Sequence, residues 1–177
     1  MTTLTTQNIF EVSDFKTAID QVYDLQVENK INTRKLTVNQ RKEYLRNLES
    51  VILRHRSEIE EALFVDLRKS KVEADSTEIF PVLSEIRLFR KKLNRWSKTN
   101  SVRNNLLFLC STAQIQPEAL GNCLIISPWN YPFQLCFVHL IACISAGNTA
   151  ILKPSEFCPN VSKVLDKILS EIFEENH

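Results

Sequence analysis

Four polar residues stand where an α/β chain would do chemistry. Asn130 follows an apolar run, Asn122–Ser127, and Lys153, Ser155 and Glu156 close or follow a second one, Thr149–Lys153. Both runs read as strands. Between them lie a Pro-Trp-Asn-Tyr-Pro corner, Pro128–Pro132, and a helix-length apolar stretch, Phe133–Ala146, ending at Gly147-Asn148. Strand, corner, helix, strand is a βαβ unit, whose strands lie parallel with a right-handed crossover. Open parallel sheets bind ligands at the C-terminal edge of their strands, where these four residues fall. They offer a neutral amide donor, a hydroxyl, a carboxylate acceptor and an ammonium. Each has a plainer reading. Asn130 can satisfy turn backbone, and Lys-Pro-Ser-Glu can be a solvated strand-to-helix loop capped by Ser155.

What is scarce narrows the chemistry. Gly121 and Gly147 are the only glycines, so these residues form no GxGxxG or Walker loop to cradle a phosphate. The five cysteines, Cys110, Cys123, Cys136, Cys143 and Cys158, are odd in number and show no CxxC spacing. With three scattered histidines they give no zinc pattern, so no metal is expected. Four of the cysteines sit among apolar residues, where a free Cys acts as a small buried hydrophobe. Only Cys158 approaches the partly exposed, electropositive setting that a reactive thiolate needs.

A net charge of +1 over 177 residues gives no pull toward nucleic acid or an anionic membrane. Phe133–Ala146 falls short of the ~20 residues of a membrane span. Met1–Gln7 is polar and lacks the apolar region of a secretory signal, so a cytoplasmic location is expected. The length suits one domain with a core. Between Asn104 and Leu152 the only Asp, Glu, Lys or Arg is Glu118, so that stretch requires cover on several sides.

The elements that must position the site are mostly helical. Phe15, Ile19, Val22, Tyr23 and Gln26 give Asp14–Asn29 helical spacing, with Ser13 or Asp14 as cap and a break at Asn32-Thr33. A long helix starts at Thr37, where Thr37-Val38-Asn39-Gln40 fits a capping box. Its stripe is Leu45, Leu48, Ile52, Ile59 and Leu63, and His55 lies on the same face as an interfacial histidine with a solvated tip. A third helix spans Val72–Ser97, with a seam of Ile79, Val82, Ile86, Phe89, Leu93 and Trp96 against the second. Pro81 kinks it or marks its true start. The cations Arg87, Arg90, Lys91, Lys92, Arg95 and Lys98 read as a solvated face suited to a helix C-terminus; the rival is an anionic-surface patch. Leu106–Cys110 and Ala113–Gln116 are short extended runs. Pro117–Gly121 is a turn. Pro159 opens a last helix that runs to about Phe173 on Val161, Val164, Leu165, Ile168 and Leu169.

SPWNYPFQL followed by AGNTAILKPSE resembles the cofactor-domain signature of the NAD(P)-dependent aldehyde dehydrogenases. The PWNYP and KPSE forms are similar to the class that includes the fatty aldehyde dehydrogenases. The upstream run ALFVDLRKSKVEADSTEIFPVLSEIRLFRKKLNRW resembles that class's helical lead-in. The resemblance implies an α/β chain: N-terminal helices, then the first βαβα half of a Rossmann-like cofactor domain. Residues 1–100 would be the lead-in, 101–120 short strands of a bridging element used for subunit contact, and 121–177 a partial dinucleotide-binding unit. It also implies oxidation of an aldehyde to a carboxylic acid with NAD or NADP as hydride acceptor, by a complete enzyme that is a homodimer.

By the same resemblance Asn130 donates to the oxyanion that develops on the aldehyde, a role that suits a neutral amide. Lys153 and Glu156 hydrogen-bond the adenosine ribose, with Ser155 beside them. Ser127, Pro128 and Trp129 line the cofactor groove. Tyr131 either borders the substrate channel or packs as core. The chain departs from the family at Ala119, His139, Cys143 and Ser145; mid-helix His139 reads as a core or interface residue. The family's nucleophilic Cys, general-base Glu and pyrophosphate loop fall downstream of Glu156, past His177, and no cysteine here has the nucleophile's context. These residues alone are therefore expected to be inactive. The rival expectations are a chain keeping only fold or subunit contacts, and a helical interaction module.

Overall fold

A computed structural model describes residues 12–104, 107, 110–174 and 177. Helices come first: α1 (Val12–Arg34), α2 (Val38–Arg54), α3 (Arg56–Leu67), the short α4 (Lys71–Ala74), a π-helical turn (Asp75–Ile79) and α5 (Phe80–Trp96). Two short strands, β1 (Asn100–Val102) and β2 (Ala113–Ile115), pair antiparallel. The βαβα unit follows as β3 (Asn122–Ile126), α6 (Pro132–Ala146), β4 (Thr149–Lys153) and α7 (Pro159–Ser170). β3 and β4 are parallel, in register from Asn122 opposite Thr149 to Ile126 opposite Lys153. The fold class is thus α/β, helices followed by half of a doubly wound unit.

One core joins the two parts. Leu45, Leu48 and Ile52 of α2, Ile59 and Leu63 of α3, and Val82 and Ile86 of α5 bury against Phe133, Phe137, Leu140 and Ile141 of α6 and Leu165 and Ile168 of α7. The α2 stripe and the seam from Ile79 through Phe89 face this core, as their spacing predicts, whereas Trp96 at the end of the seam is exposed. The Thr37 capping box forms: Gln40 N–H donates to the Thr37 hydroxyl and Thr37 N–H donates to the Gln40 side chain at 2.9 Å.

Several expectations shift. α1 continues through Asn32 and Thr33 because both side chains bond to its own last turns, Thr33 to the Lys30 carbonyl and Asn32 to the Asn29 carboxamide. Among its described side chains the most buried is polar Gln26, while Ile19 and Tyr23 are exposed. Gln26 donates to the Ala150 carbonyl of β4 at 2.9 Å, and the Ala150 N–H donates to the His177 carbonyl at 3.1 Å. The Phe15 side chain lies outside what is described, as do Leu106, Phe108 and Leu109 of the expected run Leu106–Cys110. β2 pairs with Asn100–Val102, a strand that the sequence reading missed.

The long second helix breaks at His55, which ends α2 and opens α3. The imidazole tip is buried, not solvated. Nδ1 lies 3.0 Å from Glu58 and Nε2 2.6 Å from Glu171. The third helix is divided by the π turn just before Pro81. Proline has no N–H for the Thr77 carbonyl, and the Phe80 N–H instead reaches Asp75, five residues back. Such single-turn widenings often mark functional positions. His139 is exposed, and Nδ1 donates to the Leu135 carbonyl of its own helix at 2.6 Å. Of the basic cluster, Arg87 and Arg90 pair with Glu49 of α2.

α6 has no acid in its first turn and no base in its last. Both its ends are served from the lead-in. Glu78 Oε2 accepts from the Phe133 and Gln134 N–H groups at 3.2 and 2.9 Å. At the other end Arg41 donates to the Ser145 carbonyl at 2.7 Å, and Gly147 closes the helix at φ 86, a conformation glycine adopts without strain. α7 is treated alike: Asp66 of α3 accepts from the N–H groups of Asn160 and Val161 and from the Asn160 carboxamide, at 2.6–3.0 Å. Asp66→Ala should destabilise the chain by about 1–2 kcal/mol, the range of a lost N-cap. The denaturant midpoint will show this, and an unchanged midpoint would remove Asp66 from the account.

Candidate active site

The parallel register sets the ends of β3 and β4 side by side. The Ser127 N–H donates to the Lys153 carbonyl at 3.2 Å. This brings Ser127, Pro128 and Trp129 next to Lys153, Ser155 and Glu156, as the sequence requires. Ser127 is buried, whereas Pro128 and Trp129 are exposed. The Cys158 thiol donates to the Trp129 carbonyl at 3.5 Å, linking the two corners.

Lys153 and Glu156 are both exposed and pair at 2.7 Å. The hydrogen bond from Lys153, then a backbone amide, holds the Glu156 carboxyl below the usual carboxylate range. Glu156 therefore presents a charged acceptor at the sheet edge. Ser155 is buried and its hydroxyl accepts from the Phe157 N–H at 3.3 Å, so it braces the loop.

Asn130 divides its two polar groups. Its backbone carbonyl accepts from Lys69 Nζ at 2.9 Å. Its carboxamide is exposed and bonds to no other described residue. The turn is therefore not held by the Asn130 side chain, and a neutral donor is left at the sheet edge. Tyr131 neither packs as core nor stands clear. It is half-exposed, and Lys69 Nζ lies 4.0 Å from its ring centroid, a cation–π contact.

Lys69 and Glu78 were missed by the sequence reading. Both are buried, with Nζ 2.5 Å from Oε1. Burial pushes the Glu78 carboxyl up, while Lys69 and the α6 amides pull it back. A signal existed. Glu78 stands four residues before Val82 and eight before Ile86, an acid on a buried stripe, and such an acid demands a buried partner.

The buried thiols are poor nucleophiles as they stand. Burial pushes Cys136 up to about 11, against the pull of the Ser127 hydroxyl. Cys158 is buried, which corrects its expected exposure, and burial with Asp66 and Glu78 raises its pKa against the pull of Lys69. Among the described residues no group of His, Cys, Asp and Glu could hold a metal, and no helix is long and apolar enough to cross a membrane.

Fold and site together define an α/β unit with polar groups converging on its parallel-strand edge, braced by an N-terminal helical layer. The sequence model of the Aldehyde dehydrogenase family matches residues 3–175, and the chain belongs to that family. It is 47% identical over 137 residues to 4,4'-diaponeurosporen-aldehyde dehydrogenase of Staphylococcus aureus, covering 77% of this chain and 30% of that protein. It is 39% identical over 140 residues to aldehyde dehydrogenase family 3 member B3 of Mus musculus, covering 79% and 29%. The substrate-bound state of Staphylococcus aureus AldH superposes with a TM-score of 0.86 at 42% identity, over 89% of this chain and 34% of that one. Succinic semialdehyde dehydrogenase from Streptococcus pyogenes in complex with NADP+ shares the fold at 18% identity, with a TM-score of 0.80 over 90% and 34%. The chain thus spans about a third of the length of the relatives it matches.

Lys153→Ala should let the Glu156 carboxyl climb back toward its ordinary value. A carboxyl-carbon NMR titration reads this directly, and an unmoved Glu156 midpoint would contradict the pairing.

Proposed function

We propose that these residues serve the oxidation of an aldehyde to a carboxylic acid with NAD(P)+ as hydride acceptor, within a polypeptide that supplies the nucleophilic thiol, general base and pyrophosphate loop. One observation carries the reading: the Asn130 carboxamide is exposed at the strand edge and bonds to no other described residue, while its own carbonyl is tied down. A donor with no ground-state partner is free for a charge that develops only during reaction.

The residues suit a dinucleotide in part. Glu156 is a charged acceptor able to take two ribose hydroxyls, and Lys153 moderates its charge. Ser127, Pro128 and Trp129 would flank the same group. When bound, the nicotinamide takes up hydride. Asn130 would donate its amide N–H to the aldehyde oxygen as that oxygen gains negative charge. Tyr131, under Lys69, would border the substrate. Homodimeric assembly and a cytoplasmic location complete the proposal.

Asn130→Ala in the complete enzyme should lower turnover by ~10²–10³, as loss of an oxyanion donor does, with little change in cofactor affinity. Turnover within a few-fold of the parent would sink the assignment. Glu156→Gln should shift preference toward NADP, because it removes the charge facing the ribose 2′ position. Initial rates with both cofactors test this, and an unchanged ratio would mean that Glu156 faces elsewhere.

A further inference from the structure

The Lys69–Glu78 pair lies under the corner that carries Asn130. Lys69 follows α3, and Glu78 sits on the π turn before α5. Glu78 is 0% exposed. Each charge has several partners. Lys69 Nζ donates to Glu78 at 2.5 Å and to the Asn130 carbonyl at 2.9 Å, and covers the Tyr131 ring at 4.0 Å. The second oxygen of Glu78 takes the first amides of α6. The chain on either side of Asn130 is also tied. The Trp129 carbonyl accepts from Cys158, and the Tyr131 carbonyl accepts from the Leu135 N–H at 3.0 Å. All three carbonyls between Pro128 and Pro132 are held, while the Asn130 carboxamide bonds to no other described residue.

Stability alone does not call for such a pair. Replacing a buried ion pair by apolar side chains of similar volume is often neutral or stabilising. A transition-state donor, by contrast, must be held in advance of the reaction, and a misplacement of 1 Å can cost ~10²-fold in rate.

We propose that Lys69 and Glu78 are positioning residues for Asn130: the buried pair fixes the Asn130 peptide, so that its carboxamide is presented to the aldehyde oxygen without reorganisation. This rests on the reading of Asn130 as the oxyanion donor. Lys69 acts on the backbone of Asn130, and Glu78 fixes Lys69 while joining the corner to the start of α6.

The test compares Lys69→Met, Glu78→Gln and the double variant with Asn130→Ala in the complete enzyme. Turnover, the aldehyde KM, cofactor Kd and Tm are read for each. Lys69→Met should lower kcat by about 10- to 100-fold and leave the cofactor Kd within about twofold. Removing one charge strands the other in the interior, whereas removing both does not. The double variant should therefore recover Tm relative to Lys69→Met but keep the low kcat. That split separates positioning from bracing and stands even where a single variant folds poorly. Recovery of kcat together with Tm overturns the proposal, as does a Lys69→Met kcat within about threefold of the parent. If Asn130→Ala loses no turnover, or the parent has none, the oxyanion reading falls and the proposal with it. A loss in Asn130→Ala without one in Lys69→Met removes the proposal alone.

Discussion

An uncharged helix needs charge at its ends, and α6 draws it from elsewhere. Its orphan N–H groups and the positive end of its dipole call for an anion, and its last carbonyls for a cation. Glu78 and Arg41 meet those needs from the lead-in. Lys69 in turn makes the buried Glu78 tolerable. Removing one partner of such a pair is destabilising by about 3–5 kcal/mol, because the other is then buried unpaired. The helix, the corner before it and the π turn therefore stand or fall together. Because the corner presents Asn130, the site depends on the same contacts.

This dependence explains why the helical layer is no separate appendage. The apolar faces of α2, α3 and α5 share one core with α6 and α7. The polar contacts are fewer and fall at the ends and edges of the elements they serve. Asp66 holds the start of α7, Glu78 the start of α6, and Gln26 an edge of β4. Each turns a buried or half-buried polar group to a backbone group that would otherwise lack a partner.

Much of this was legible in residue order. β3 and β4, the corner, α6 and Gly147 as its stop follow from apolar runs and proline and glycine punctuation, which are local signals, whereas polar β1 does not. The capping box at Thr37 is local as well. What escaped was long-range. Nothing near His55 in sequence shows that Glu171 will arrive at its ring. Nothing near Asn32 shows that α1 will continue past it, and nothing near Gln26 shows that it will reach the Ala150 carbonyl. Lys153, Ser155 and Glu156 were legible as strand-edge residues, because strand ends are local signals. Lys69 and Glu78 were not, since their partners lie across the fold and a charge in a helix reads first as surface. Cys158 was misjudged for the same reason: its burial, which with Asp66 and Glu78 raises its pKa, comes from packing against distant segments.

The remote caps also bear on how the chain comes to be folded. Glu78 precedes the amide of Gln134 by 56 residues, and Asp66 precedes that of Asn160 by 94. Synthesis delivers the N-terminal part first. Each carboxylate thus leaves the ribosome before the helix it serves, and the helix emerges to find its anchor already made. A rearranged chain with the same contacts but the βαβα unit ahead of the helices would lose that order. Its two proline-started helices would wait, ends bare, for caps still to be translated.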